Sequence, residues 1–275
     1  VEFAVRVVVC ADTIPGWSAP RPIDVHQIVF VRRGGFRVRS DGERLTADPS
    51  LGYLLIPGRD HRVSHPMGGD VCTTITVGDR LWHEVTQGRP VRAGVPVDGR
   101  LELAHRLLLR GADPEPLVRA LELVAAVPAS YGRPGLAALA REAVLSGVPD
   151  ASDLVRLART LGVSPGHLSR TFHAHCGMTF SRYRNRVRVS GALARIEQGE
   201  TDLARLAAEL GFADQAHLAR TVRRETGRPP GRIRALFTGP VRQASLPQSS
   251  LPQASGVAAR TSAWAAGMLP RRPAW

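Results

Sequence analysis

The sequence predicts an α+β chain in two parts: a small antiparallel β-barrel closed by helices, then an all-α domain with two helix-turn-helix units joined by a linker helix. Three observations predict it. Up to about Val97 the chain runs in short apolar or alternating stretches broken by Gly, Pro and Asp. From Asp98 the apolar period becomes helical. Further on, one pattern occurs twice, about fifty residues apart, as a duplicated supersecondary unit would. At 275 residues the chain is long enough for two domains, each burying its own core.

In chain order, the candidate strands are VRVVV (Val5 to Val9), HQIVFV (His26 to Val31), FRVRS (Phe36 to Ser40), YLLIP (Tyr53 to Pro57) and TTITV (Thr73 to Val77). Gly34-Gly35, Asp41-Gly42, Pro57-Gly58 and Gly68-Gly69 punctuate them as turns. Short strands at near-regular spacing argue for a sandwich or barrel over residues 1–97. Leu103 and Leu107, then Leu117, Leu121 and Val124, lie on helical stripes, so two helices close this half over 98–130. Their apolar face serves either the core or a second copy of the chain. Pro128 and the SYGRPG stretch mark a linker.

The duplication is explicit. DLVRLARTLG from Asp153 recurs as DLARLAAELG from Asp202, and HLSRTFHAHCG from His167 recurs as HLARTVRRETG from His217. Leu154, Leu157, Ala158 and Leu161 share one helical face, as do Leu203, Leu206, Ala207 and Leu210. Gly162 and Gly211 suit the left-handed residue that ends each first helix, and Ser164 and Asp214 suit the N-cap of each second helix. Leu168 with Phe172, and Leu218 with Val222, give the second helices their inner sides. Between the copies, Ser181 to Gly199 reads as one connecting helix, so this domain covers 131–239. The tail, 240–275, is rich in Ser, Pro, Gln and Ala and lacks any acid, a composition that predicts disorder.

The formal net charge of +13 is concentrated. Up to Ser130 there are 16 Arg against 15 acids; from Tyr131 onward there are 21 Arg against 9. A near-neutral half joined to a basic half points to a polyanionic partner. The chain has no Lys, and arginine forks match phosphate and guanine edges better than ammonium groups, although a codon bias toward Arg and Ala gives the same composition. Cys10, Cys72 and Cys176 are odd in number, far apart and without CxxC or metal-ligand spacing, which fits a reduced, cytoplasmic chain. The apolar start carries Glu2 and Arg6 and reads as a strand rather than a leader, and no apolar run is long enough for a membrane span.

These residues carry a resemblance. The stretch from about Gly135 to Phe237 resembles the DNA-binding domain of the AraC/XylS family of bacterial transcription regulators. It does so through Ala158, Leu161-Gly162, Ser164, Leu168, Arg170, Phe172, Gly177, Tyr183, Arg188 and Ala192, and through the run LAAELGFADQAHLARTVRRETGRPPGRIR. In that run the Gly211-Phe212 pair, Asp214-Gln215, Arg220, Gly227, Pro230 and Arg234 sit at the family's spacing. Leu218, Val222 and Ile233 depart from it where aromatics are usual, and Arg195 where an apolar residue is common. HQIVFVRRGGFRVRSDGERL and LGYLLIPGRDHRV resemble the cupin-like regulatory domain of many such proteins. The resemblance implies sequence-specific binding to promoter or operator DNA, controlled through the first domain by a small-molecule effector or by homodimerisation. It also implies contact with RNA polymerase if the protein is an activator, and no membrane partner.

Exposed positions on the first turns of each second helix face base edges. Those are Gly166, Ser169, Arg170 and His173 in the first unit, and Gln215, Ala216, Ala219 and Arg220 in the second. Arg170 and Arg220 suit guanine, and Gln215 suits adenine. Arg182, Arg184, Arg186, Arg223, Arg224 and Arg232 read as phosphate contacts that position without specifying. The rival reading is a metal-dependent cupin enzyme with a helical appendage, because His26, His61, His65 and His83 fall in the barrel half. Their spacing is poor, since His61 and His65 are four apart and the next acid is Asp70. The expectation is therefore no enzyme, no catalytic residues, no metal and no cofactor.

Overall fold

The structure is a computed structural model that describes residues 3–11, 13–89, 91, 93–126 and 135–238. The expected linker around Pro128 and the tail over 240–275 lie outside the described residues.

The first part holds strands β1 (Phe3–Cys10), β2 (His26–Arg33), β3 (Phe36–Ser40), β4 (Glu43–Ala47), β5 (Leu51–Leu55), β6 (His61–Ser64), β7 (Asp70–Val77) and β8 (Gly94–Pro96). It also contains helices α1 (Asp79–Thr86), α2 (Gly99–Leu107) and α3 (Glu115–Ala126). Two antiparallel sheets form, in the orders β1-β7-β2-β5-β8 and β4-β3-β6. Val29, Val31, Phe36, Val38, Tyr53, Leu55 and Cys72 fill the space between them. On the other face of the larger sheet, Ile28, Phe30, Leu54 and Ile75 are covered by Trp82, Leu101, Leu117 and Leu121. That two-sided burial explains the unbroken IVFV of β2: alternate residues face two different cores.

All five expected strands are present, within a few residues. β4, β6, β8 and α1 were not expected. β8 is three residues long, and α1 is a two-turn helix of eight residues whose apolar side, with Trp82 and Val85 buried, was not read from the sequence. The four histidines do not form one cluster: His83 neighbours His26 alone, and His65 lies 3.2 Å from Asp70. His26 stacks on Trp82 at 4.2 Å and pairs with Asp79 at 3.1 Å, His61 stacks on Tyr53 at 5.4 Å, and His83 lies exposed on α1.

Two of the barrel's buried histidines give the fold an acid limit. Burial, with Arg21 adding to it, lowers His61 to about 4, and burial with Arg106 and Arg32 holds His105 well below its ordinary value. A histidine whose folded pKa is depressed leaves stability intact above the unfolded value, about 6.5, and removes it as pH falls toward the folded value. The urea midpoint is therefore expected to drop between about pH 6.5 and pH 4. His61→Phe, which preserves the stack on Tyr53, is expected to flatten that drop; an unchanged slope would clear His61 of it.

The second part contains α4 (Leu136–Leu145), α5 (Leu154–Thr160), α6 (Pro165–Cys176), α7 (Phe180–Glu197), α8 (Leu203–Glu209), α9 (Gln215–Thr226) and α10 (Pro230–Phe237). One core joins Ala140, Leu157, Ala158, Leu168, Phe172, Phe180 and Tyr183. A second joins Val189, Leu193, Ile196, Leu206, Phe212, Leu218, Val222 and Ile233, and it also takes in Leu103 from α2. The apolar stripe of α2 is thus core packing against the second unit. Leu218, Val222 and Ile233, the departures from the family's aromatics, are each 0% exposed. Arg195 pairs with Glu200 at 2.9 Å and Glu209 at 2.7 Å, tying α7 to α8.

Buried charges join the two parts. Glu102 of α2, fully buried, accepts from Arg106 at 2.8 Å and pairs with Arg186 of α7. Glu197 of α7 draws in Arg32 at 3.3 Å, Arg106 at 3.1 Å and Arg110 at 3.3 Å. Asp48, also fully buried, accepts from Arg141 at 2.8 Å and from the Tyr183 hydroxyl at 2.7 Å. Nearer the surface, the partly exposed Arg37 makes a two-pronged pair with Glu142 at 2.7 and 2.6 Å. Desolvated charges persist only when paired and hydrogen-bonded, so these contacts hold the barrel on the helical domain.

Candidate nucleic-acid interface

The two repeats fold into the same object. Asp153 accepts hydrogen bonds from the Val155 and Arg156 amides, and Asp202 from the Ala204 and Arg205 amides, so each first helix opens on an aspartate cap. Gly162 and Gly211 follow at φ 69° and 70°, a left-handed turn that a side chain would strain. Ser164 then accepts from the His167 amide at 3.2 Å, and Asp214 from the His217 amide at 2.6 Å, starting α6 and α9. α7 joins the units; its 18 residues make a rod about 27 Å long, comparable to the ~34 Å between successive major grooves. Asp202→Ala is expected to destabilise the second unit by about 1 kcal/mol, read as a lower Tm with the barrel intact.

Each expected base-facing residue has a definite place. Gly166, Ser169, Arg170 and His173 are exposed on α6; Gln215, Ala216 and Arg220 are exposed on α9, and Ala219 is half-buried. A side chain at Gly166 would meet Arg170 Nη1 at 3.4 Å, so the Arg170 guanidinium lies over the first turn of α6. Among the described residues neither Arg170 nor Arg220 has a hydrogen-bond or ion-pair partner for its guanidinium. Leu168 and Phe172, and Leu218 and Val222, each 0% exposed, hold the opposite faces of these helices in their cores.

The phosphate set divides. Arg182, Arg223, Arg224 and Arg232 are exposed, with Arg224 3.5 Å from Glu225. Arg184 is half-buried over the Phe180 ring, and burial lowers its pKa against a smaller opposing pull from Asp153. Arg186 does not belong in the set. It is 2% exposed, donates to the carbonyls of Pro49 at 2.9 Å and Asp98 at 3.0 Å, and pairs with Glu102. The sequence reading grouped it with Arg182 and Arg184, but it lies on the face of α7 turned to the barrel, which sequence alone does not show. Arg188, which the sequence reading named for the resemblance but gave no role, is half-buried over Phe212, and its head lies 3.1 Å from where a side chain on Gly211 would begin.

Residues 157–235 match the profile of a family described as a helix-turn-helix domain. The HTH-type transcriptional regulator GlxA of Rhizobium meliloti is 32% identical over 82 residues, 30% of this chain and 25% of that protein. The uncharacterized HTH-type transcriptional regulator YpdC of Escherichia coli is 31% identical over 83 residues, 30% of this chain and 29% of that one. The match thus spans a quarter to under a third of the length of these curated relatives. The crystal structure of ToxT from Vibrio cholerae aligns with 86% of this chain and 99% of its own, at 13% identity and a TM-score of 0.39. A cupin 2 conserved barrel domain protein from Salinispora arenicola aligns with 29% of this chain and 66% of its own, at 20% identity and a TM-score of 0.25.

Proposed function

We propose that this chain, whose C-terminal region is a helix-turn-helix domain of the AraC type, is a sequence-specific DNA-binding transcriptional regulator whose two units read successive major grooves. One observation carries the reading. Among the described residues Arg170 and Arg220 stand exposed, with no partner for the guanidinium, at equivalent places on two helices that each open on a side-chain cap, Ser164 or Asp214, in a chain whose buried arginines are matched to carboxylates. A bidentate arginine on guanine contributes about 1–3 kcal/mol of discrimination. Gly166, Ser169, His173, Gln215, Ala216 and Ala219 complete the base-facing surface. Arg182, Arg184, Arg223, Arg224 and Arg232 supply the backbone contacts.

The protein acts in the cytoplasm as a regulator and not as an enzyme, under control of a small-molecule effector or homodimerisation through the barrel. It engages RNA polymerase if it activates. The arrangement of α2 supports that control: it packs on the barrel through Leu101 and on the second unit through Leu103, and its Glu102 grips α7, the rod between the units. Among the described residues no helix is long and apolar enough to cross a membrane.

The test is binding to the promoter of its own operon against random DNA, by fluorescence anisotropy at several salt concentrations. Arg170→Ala and Arg220→Ala are each expected to reduce discrimination by about 1–3 kcal/mol. Arg223→Ala is expected to weaken both DNAs alike and to lower the salt slope by about one. Equal affinities for cognate and random DNA in the unaltered protein would overturn the reading.

A further inference from the structure

Three side chains that the sequence keeps far apart meet at one rim of the barrel. Cys10 closes β1 and Asp70 opens β7, and the antiparallel register sets them directly opposite, so both leave the same face of the sheet. The turn before β7 runs so close that a side chain on Gly69 would stand 2.5 Å from the Cys10 carbonyl oxygen. His65, just past β6, comes across from the smaller sheet; its amide donates to the Ile14 carbonyl at 3.0 Å, and its Nε2 lies 3.2 Å from Asp70 Oδ2.

One ligand atom from each of Cys10, His65 and Asp70 lies within 4.8 Å of the other two. Asp70 is 4% exposed, His65 is 9% exposed and Cys10 is half-buried. Asp70 Oδ1 accepts from the Cys72 thiol at 3.0 Å, whereas the buried Oδ2 makes no hydrogen bond among the described residues. A buried carboxylate oxygen aimed at an imidazole and beside a thiol, with an acceptor lone pair unused, points to a cation.

We propose that Cys10, His65 and Asp70 form a binding site for a divalent transition-metal ion of the zinc class. Sulfur and imidazole donors select zinc-like ions over magnesium or calcium. One thiolate, one carboxylate and a neutral imidazole balance the double charge, so the loaded site is neutral within the buried wall. Bonds of about 2.0–2.3 Å around a tetrahedral ion put ligand atoms roughly 3.5 Å apart, so side-chain rotations of about 1 Å close the present arrangement. Binding releases the Cys10 thiol proton to solvent. Cys72 remains a thiol and orients the carboxylate. Along the chain Cys10 has no metal-ligand spacing to His65 or Asp70, which is why the sequence argued against a metal; the strand register sets Cys10 opposite Asp70.

The experiment uses the full chain, reduced and stripped with chelator under argon, then titrated with cobalt(II). One equivalent is expected to bind and to produce a sulfur-to-cobalt charge-transfer band, which zinc(II) then bleaches by displacement. Cys10→Ser, the least buried of the three changes, is expected to abolish the band, and His65→Gln and Asp70→Asn to weaken binding at least about ten-fold. Cys72→Ser, which retains a hydroxyl donor to Asp70, is expected to keep the band. Far-ultraviolet circular dichroism identifies any variant that fails to fold, and those that fold decide the result. The proposal is overturned by the absence of a charge-transfer band in the unaltered protein, by its survival in folded Cys10→Ser, or by its loss in folded Cys72→Ser. None of these readouts involves DNA, so the proposal and the reading of the helical domain stand or fall separately.

Discussion

Glu102→Gln is expected to destabilise the folded chain by about 3–5 kcal/mol, more than any change on the exposed faces of α6 and α9. Glu102 is 0% exposed and faces two guanidinium groups, those of Arg106 and Arg186. Glutamine fills the same volume but removes the charge, leaving Arg186 among the carbonyls of Val97, Pro49 and Asp98 with no anion. Arg106 keeps Glu197 at 3.1 Å, so Arg186 bears most of the loss. Adding Arg186→Met is expected to recover much of it, since removing both partners of a buried pair is far less damaging than removing one.

Acid is expected to act on the same contact. Burial alone pushes the Glu102 carboxyl up, but Arg186 and Arg106 outweigh it and hold the pKa below the usual carboxylate value. A depressed folded pKa gives stability that is present above the unfolded value, about 4.3, and is lost as pH falls through the lower folded value. Urea denaturation of the unaltered protein should therefore lose this contribution below about pH 4.3, whereas Glu102→Gln, already lacking it, should lose less there. A Glu102→Gln change of under about 1 kcal/mol at neutral pH would mean that the contact is solvated and does not join the two parts.

Phe172→Ala is the other change with a large expected effect, about 3–5 kcal/mol, concentrated in the first unit. Phe172 is 0% exposed, meets the Phe180 ring edge-on at 5.3 Å and the Tyr183 ring at 5.4 Å, and is the inner anchor of α6. Its removal leaves a cavity where α6 and α7 meet, so the helix bearing Arg170 loses its seat while α9 retains Leu218 and Val222. The expected result is a large loss of affinity for the cognate site with weak binding through the second unit preserved. Hydrogen exchange should show α6 exchanging rapidly and the barrel strands protected. Equal loosening of barrel and helices would show that the parts unfold only together.

Much of this was legible in the residues. The duplicated pattern specified both units down to the turn, because Gly162 and Gly211 and the caps Ser164 and Asp214 act within a few residues of themselves, whereas the aspartate caps of the first helices, Asp153 and Asp202, came from the structure. The long strands were legible for the same reason: β2 and β7 carry enough apolar residues to show their burial without knowledge of their neighbours. β4, β6 and β8 were not, since ERLTA, HRVS and GVP are short and become strands through their partners. The eight residues of α1 do carry a helical pattern, with Trp82 and Val85 on the buried face, but over only two turns.

The side chains that carry charge show where local reading stops. Composition alone says that the helical half has an excess of arginine, and repeat alignment alone says that Arg170 and Arg220 are equivalent. Neither says that Arg186, one turn beyond Arg182, faces Glu102 in the barrel half, or that Cys10 meets His65 and Asp70. Helix caps, turns and periodicity are set by contacts a few residues apart, so the sequence by itself determined the paired helical units and the sheet-forming half. Which arginines stay exposed and which are locked against carboxylates depends on partners tens of residues away, and only the packed chain brought those together.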